Sequence, residues 1–149
     1  MNPKISSSPF NNAVEQLASL PGIGNKTALR LVLQILNRDQ NEVENFGKAF
    51  VELSNDIQYC NSCHNISDTI TCDLCASPTR NDNVICVVEN ILDVIAIEKT
   101  NQFQGKFHVL GGIISPMEGI GPNDIKIPEL IERVNTLKPT EIIMALSTT

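Results

Sequence analysis

Four cysteines stand in two tight pairs, Cys60-Asn61-Ser62-Cys63 and Cys72-Asp73-Leu74-Cys75, with eight residues between the pairs. A C-x2-C pair lets one turn of backbone aim two thiolates at one point. Two such pairs close a tetrahedron around a single Zn²⁺. Four protein ligands leave no coordination position for a substrate, so the chemistry this spacing predicts is structural. Disulfide pairing, bound iron and a redox pair are the alternatives. Residues Met1 to Phe10 show no basic start followed by an apolar stretch, so no leader is expected. That places the chain in the cytoplasm, where thiols stay reduced and metal is favoured over disulfides. His64 follows Cys63 directly; with four cysteines available it is expected at the surface or behind the ligands. The fifth cysteine, Cys86, lies in the apolar run Val84-Ile85-Cys86-Val87-Val88 and reads as a small core residue.

The second chemical signal is Leu20-Pro21-Gly22-Ile23-Gly24-Asn25-Lys26-Thr27-Ala28. Gly22 and Gly24, one residue apart, allow a tight hairpin whose backbone another molecule can approach closely. The hairpin leads into a helix, whose free N–H groups and positive dipole end favour a phosphate. Lys26 and Arg30 are four apart and share one side of that helix. Ile23 is expected to pack between the two helices. The string reads as a helix-hairpin-helix motif that grips a DNA backbone without regard to sequence. A plain helix–helix turn with two solvated basic residues is the competing interpretation.

Glu89 follows the apolar run Val84–Val88, at the carboxyl end of a predicted parallel strand, where ligands bind in open α/β sheets. A lone acid there suits help with Mg²⁺ or proton transfer, although Mg²⁺ normally needs further carboxylates. Asp93 is four residues on, in the following helix; a solvated acid or ion-pair partner is the plainer role for Glu89. The glycine-rich stretch 111–122 lacks the G-x4-G-K-[ST] pattern of a P-loop, and its residues specify no ligand. His108 is expected as a satisfied core histidine, and Tyr59, the only tyrosine, as packing against the metal module.

The elements that must position these groups follow from periodicity. Phe10, Val14, Leu17 and Ala18 lie on one helical face, ending at Leu20-Pro21-Gly22; residues 1–8 are polar and expected to be loose. A second helix is expected with Asn25 as its N-cap and Ala28, Leu31, Val32, Ile35 and Leu36 as its stripe. A third spans about 41–57, with Val43, Phe46, Phe50, Leu53 and Ile57 on one side. After the cysteines the pattern changes. Val84–Val88, Phe107–Leu110 and Glu141–Leu146 read as three buried strands; Leu92–Lys99 and a helix from Pro128 to about Leu137 alternate with them. This alternation predicts a parallel sheet with helices packed on it.

The bulk numbers agree with a folded chain. There are 149 residues, 42% hydrophobic, with a net charge of −6. No run approaches the ~18 apolar residues needed to span a bilayer. A net negative chain is no general nucleic-acid binder, so DNA contact must come from a local cluster.

Four ordered blocks together resemble the RecR family of bacterial recombination mediators: Leu20-Pro21-Gly22-Ile23-Gly24 with Lys26 and Arg30; the cysteine quartet opening at Tyr59-Cys60; Ile85-Cys86-Val87-Val88-Glu89; and His108-Val109-Leu110-Gly111-Gly112 followed by Ser115-Pro116 and Gly119-Ile120-Gly121-Pro122. The resemblance runs from about Pro9 to Thr149. It implies an α/β multi-module chain: a helix-hairpin-helix domain at 1–58, a four-cysteine zinc finger at 59–80 and a Toprim-like domain at 81–149. The Toprim-like parallel α/β sheet is incomplete at its C-terminus relative to the family. It implies DNA-contacting residues Lys26 and Arg30, ligands Cys60, Cys63, Cys72 and Cys75, and Glu89 as the acid after the first Toprim strand. It also implies a ring-like homo-oligomer in the bacterial cytoplasm, associated with the nucleoid. That oligomer works with RecO, and in some settings RecF, to help load the strand-exchange protein on single-stranded DNA, without catalytic turnover. Two other functions are weighed beside it. One is a Toprim-type, Mg²⁺-dependent nucleic-acid enzyme, against which the lone acid and the lack of a nucleophile speak. The other is a truncated form keeping only DNA or partner binding.

Overall fold

The computed structural model describes residues 6–147; residues 1–5, the start of the stretch expected to be loose, and 148–149 lie outside the described residues. The chain divides into two compact units, Met1–Asn55 and Asp56–Thr149.

The first unit is helical: α1 (Ser8–Ala18), α2 (Asn25–Leu36) and α3 (Gln40–Asp56). α1 opens at Ser8, earlier than the apolar periodicity indicates, because Pro9 sits in the first turn, where its missing N–H costs nothing. α1 packs on α2, and Ala28 and Val32 are buried on the α2 stripe. Asp39 accepts a hydrogen bond from Glu42 N–H at 2.9 Å and so caps the start of α3. α3 has no buried residue; Phe46 and Phe50 stack edge to face at 5.0 Å and stay 39% and 58% exposed.

In the second unit, β1 (Gln58–Tyr59) pairs antiparallel with β2 (Ile66–Ser67), and α4 (Asp73–Ala76) follows. Then come β3 (Asn81–Val88), α5 (Ile91–Glu98), β4 (Gly105–Val109), a 3-10 turn (Pro116–Glu118), α6 (Ile127–Leu137) and β5 (Glu141–Ala145). The three later strands form a parallel sheet in the order β4-β3-β5.

Alternation along β3 builds two cores. Cys86 and Val88 meet Val94, Phe107 and Val109 under α5 on one face. Ile85 and Val87 meet Leu110 and Ile125, with Ile127 and Leu130 of α6, on the other. A central parallel strand covered on both faces needs an uninterrupted apolar run, which is what 84–88 supplies. The two crossovers carry their helices to opposite faces, as a doubly wound sheet requires. No described helix is long and apolar enough to cross a membrane.

One expectation fails here. β5 is not a buried strand: all five of its residues are exposed, Met144 to 58%. Its apolar sequence is that of a buried strand. Within the described residues, however, it has one neighbour, β3, and lies at the sheet edge, so backbone pairing positions it without covering its side chains.

Candidate metal centre and nucleic-acid interface

The hairpin of the first unit is built around one turn. Ile23 N–H donates to Leu20 O at 3.1 Å, with Pro21 and Gly22 at the two central positions. Gly22 has φ +82°, which a type II turn demands at its third residue and which disfavours any side chain there. Ile23 is half-buried. The cap of α2 is Gly24 (φ −81°, ψ 162°), not Asn25: Ala28 N–H donates to Gly24 O at 3.0 Å, the first helical bond. Glycine has no side chain to bond the amides of the first turn, and no acid stands in that turn. The start of α2 therefore presents backbone donors with no side-chain cap across them. A Cβ at Gly24 would meet nothing within 4 Å, so the space above the backbone is open. Lys26 and Arg30 are both exposed on the same side of α2. Residues 1–55 carry five acidic and five basic side chains, so the whole charge of −6 falls on 56–149.

In the second unit the four cysteine Sγ atoms lie within 4.8 Å of one another. A tetrahedron with Zn–S bonds of about 2.3 Å needs S···S distances of about 3.8 Å, so the quartet fits one ion. Cys63 Sγ and Cys72 Sγ are 3.4 Å apart, far beyond a disulfide bond of about 2.05 Å, and all the cysteines are free. Among the described residues, this is the one group of three or more His, Cys, Asp or Glu side chains placed to hold a metal.

Two backbone loops aim the thiols. In the first, His64 N–H returns to Cys60 O at 2.9 Å and Cys60 N–H donates to Asn65 O at 2.8 Å, with His64 in the left-handed region at φ 61°. In the second, Cys75 and Ala76 N–H donate to Cys72 O at 3.0 and 2.9 Å. The electrostatics divide the quartet, drawing Cys75 and Cys60 toward the thiolate and holding Cys63 and Cys72 as thiols. The hydrogen bond from Cys63 and, after it, the nearby Arg133 guanidinium lower Cys75 to about 5, against the opposing effect of burial. Burial raises Cys60, but backbone amides of Cys72, Cys63 and Ser62 outweigh it and leave it lowered. Cys63 is raised by its bond to Cys75 and by burial, and burial raises Cys72.

His64 is no part of the quartet; its ring packs edge to face on His108 at 5.3 Å. His108 is fully buried and its Nε2 bonds Lys126 O at 2.8 Å, yet its buried Nδ1 has no hydrogen-bond partner, so it is a core histidine only half satisfied. Tyr59 is not buried in the metal module. It is 64% exposed and lines a cavity of about 540 Å³ with His64, Val109, Ile125 and Lys126.

Glu89 stands at the end of β3, where the sequence places it. Its Oε1 accepts from Ser147 N–H at 2.5 Å and from the Ser147 hydroxyl, which holds the carboxyl below its ordinary range. Asp93 is engaged elsewhere: its Oδ2 accepts from Asn90 N–H at 3.0 Å while Asn90 caps α5, forming a capping box. The structure therefore brings the four cysteines together, and it commits Asp93 to the cap of α5.

Sequence reasoning misses Lys106, which is 5% exposed and donates from Nζ to the carbonyls of Leu74, Cys75 and Ser77 at 3.2, 2.8 and 2.9 Å. A lysine inside the apolar context of β4 is the only sequence signal that marks it.

Comparison with known proteins agrees with this architecture. Residues 10–53 match the family model described as RecR, helix-hairpin-helix, and residues 83–149 match the Toprim domain. The chain is 56% identical to Recombination protein RecR of Parabacteroides distasonis, across the whole chain and 72% of that protein. It is 51% identical to Recombination protein RecR of Bacteroides fragilis, across the whole chain and 73% of that protein. The protein of the same name from Amoebophilus asiaticus is 54% identical over 94% of the chain and 70% of its own length. With a helix-hairpin-helix unit, a four-cysteine cluster and a parallel Toprim sheet along one chain, and relatives of this identity and coverage, this protein belongs to the RecR family.

Proposed function

We propose that this chain is a non-enzymatic, DNA-binding mediator of recombinational repair, acting in the bacterial cytoplasm at the nucleoid. In this reading it works with RecO, and in some settings RecF, to help load the strand-exchange protein on single-stranded DNA. The observation that carries the DNA-binding part is the start of α2. There, uncapped amides, an open approach over Gly22 and Gly24, and exposed Lys26 and Arg30 converge in the unit without net charge. Such a surface takes phosphate and reads no base edge, so contact is with the backbone and independent of sequence. One hairpin binds weakly, and a homo-oligomer presenting several gains avidity. The exposed apolar side of α3 supports such an assembly.

The cysteine quartet is proposed as a structural Zn²⁺ site formed by Cys60, Cys63, Cys72 and Cys75. Bound Zn²⁺ would supply cross-linking of two loops, with no chemistry on a substrate. For Glu89, its engagement by Ser147 and the commitment of Asp93 to the α5 cap support a structural role over Mg²⁺ catalysis. The mediator reading is tested by following assembly of the strand-exchange protein on single-stranded DNA coated with its binding protein, with RecO present. Adding this chain should accelerate assembly. No acceleration, or Mg²⁺-dependent cleavage of the DNA, would overturn the reading.

A further inference from the structure

Strand β4 touches both cysteine loops. Val109 N–H donates to Cys63 O at 2.8 Å, which ties the first pair to the outer edge of the strand. Three residues earlier, Lys106 sends its ammonium into the second pair. Its three acceptors, Leu74 O, Cys75 O and Ser77 O, are carbonyls of α4 and the residue after it. α4 is only four residues long, so its last carbonyls have no helical partners, and a cation there supplies what the helix cannot. Lys106 makes one further contact, with Asp82 at 3.4 Å, whose side chain is 78% exposed. Without the ammonium, three carbonyls packed beside a buried strand would lose their common donor, and the turn that aims Cys72 and Cys75 would lose its anchor.

We infer that Lys106 is a positioning residue for the metal: by holding the Cys72–Cys75 turn against β4, it makes metal retention depend on the sheet. This rests on the reading of the quartet as a metal site. Groups behind the ligands that fix ligand orientation typically govern affinity by 10- to 100-fold. Coupling of this kind is reciprocal, so emptying the site must loosen the contacts β4 makes with the loops.

The test uses the whole chain loaded with Zn²⁺ and a chromogenic chelator in excess. Lys106→Met should release metal roughly 10- to 100-fold faster than the wild type. Asp82→Asn, which leaves all three carbonyl bonds in place, should release it at the wild-type rate. If Lys106→Met is folded by circular dichroism and keeps its metal as long as the wild type, the inference is wrong. Should that variant fail to fold, hydrogen exchange on the wild type decides. Removing the metal should strip protection from the Val109 amide, and unchanged protection there would overturn the coupling. A wild-type chain that takes up no metal would overturn the metal reading itself, an outcome distinct from a metal-loaded variant that behaves normally.

Discussion

At the scale of single residues, two glycines two positions apart do different work. Gly22 is required by its own backbone, at φ +82°, whereas Gly24 at φ −81° occupies a conformation open to any residue. Gly22→Ala should therefore cost about 1–2 kcal/mol of stability. Gly24→Asp, a favoured residue at this N-cap, should leave the melting temperature unchanged or raise it but weaken DNA binding, because its carboxylate would occupy the amides proposed to take the phosphate. Thermal denaturation and fluorescence anisotropy on the two variants separate these effects; equal losses of stability would refute the distinction. His108 gives a second residue-scale prediction. Burial lowers it to about 4 from its ordinary 6.5, against the opposing pull of the Lys126 carbonyl. Between those values the unfolded chain binds the proton and the folded chain does not. The stabilisation is complete above about pH 6.5 and is lost as pH falls toward 4. Urea unfolding at pH 7, 5.5 and 4.5 should show this decline, and His108→Gln should flatten it. An unchanged slope in that variant would place the pH dependence elsewhere.

At the scale of elements, β4 is an edge strand whose edge is nonetheless occupied. Arg80 Nη1 donates to Gly105 O at 3.0 Å, Arg133 Nη1 to Phe107 O at 2.6 Å, and Cys63 O takes the Val109 amide. Covering an edge this way removes a template for pairing with other chains. It also means that the metal loops belong to the sheet's own compact unit. The start of the strand is tight: a Cβ at Gly105 would stand 2.5 Å from Phe103 Cζ and 2.8 Å from Val84 O. Val84 O is backbone and cannot yield, so Gly105→Ala should cost on the order of 1–3 kcal/mol through overpacking. A denaturant midpoint unchanged by that substitution would contradict the packing described here. The periodicities of α1, α2, α3 and α5 and the apolar run of β3 made these elements legible in the sequence, because their apolar residues recur at helical spacing or run unbroken along the strand. β5 misled for a different reason: Ile142, Ile143 and Met144 have the composition of a covered strand, and no local pattern reports whether a cover is present. Lys106 was illegible because its partners are backbone carbonyls 29 to 32 residues away, and carbonyls leave no trace in residue types.

At the scale of the whole molecule, net charge and the hairpin are divided between the two units. The first, neutral overall, carries the hairpin; the second carries the whole net charge of −6 and the cysteine quartet. A net negative chain can bind DNA only where the local surface departs from the global field, and the start of α2 is such a place. Both site motifs could be read from sequence because each is local: two C-x2-C pairs, and one hairpin with two basic residues a helical turn apart. The links from the quartet to β4 and from Glu89 to Ser147 are long-range and needed the fold. The central claim is that the start of α2 grips the DNA backbone through Lys26 and Arg30. It is tested most directly by fluorescence anisotropy of labelled single-stranded DNAs of several sequences, titrated with the wild type and with Lys26→Ala/Arg30→Ala across a range of salt. The double variant should bind every sequence more weakly by a similar factor, with the slope of log affinity against log salt shallower by about 1.4. Unchanged affinity and an unchanged slope would remove the hairpin from DNA binding and contradict the claim.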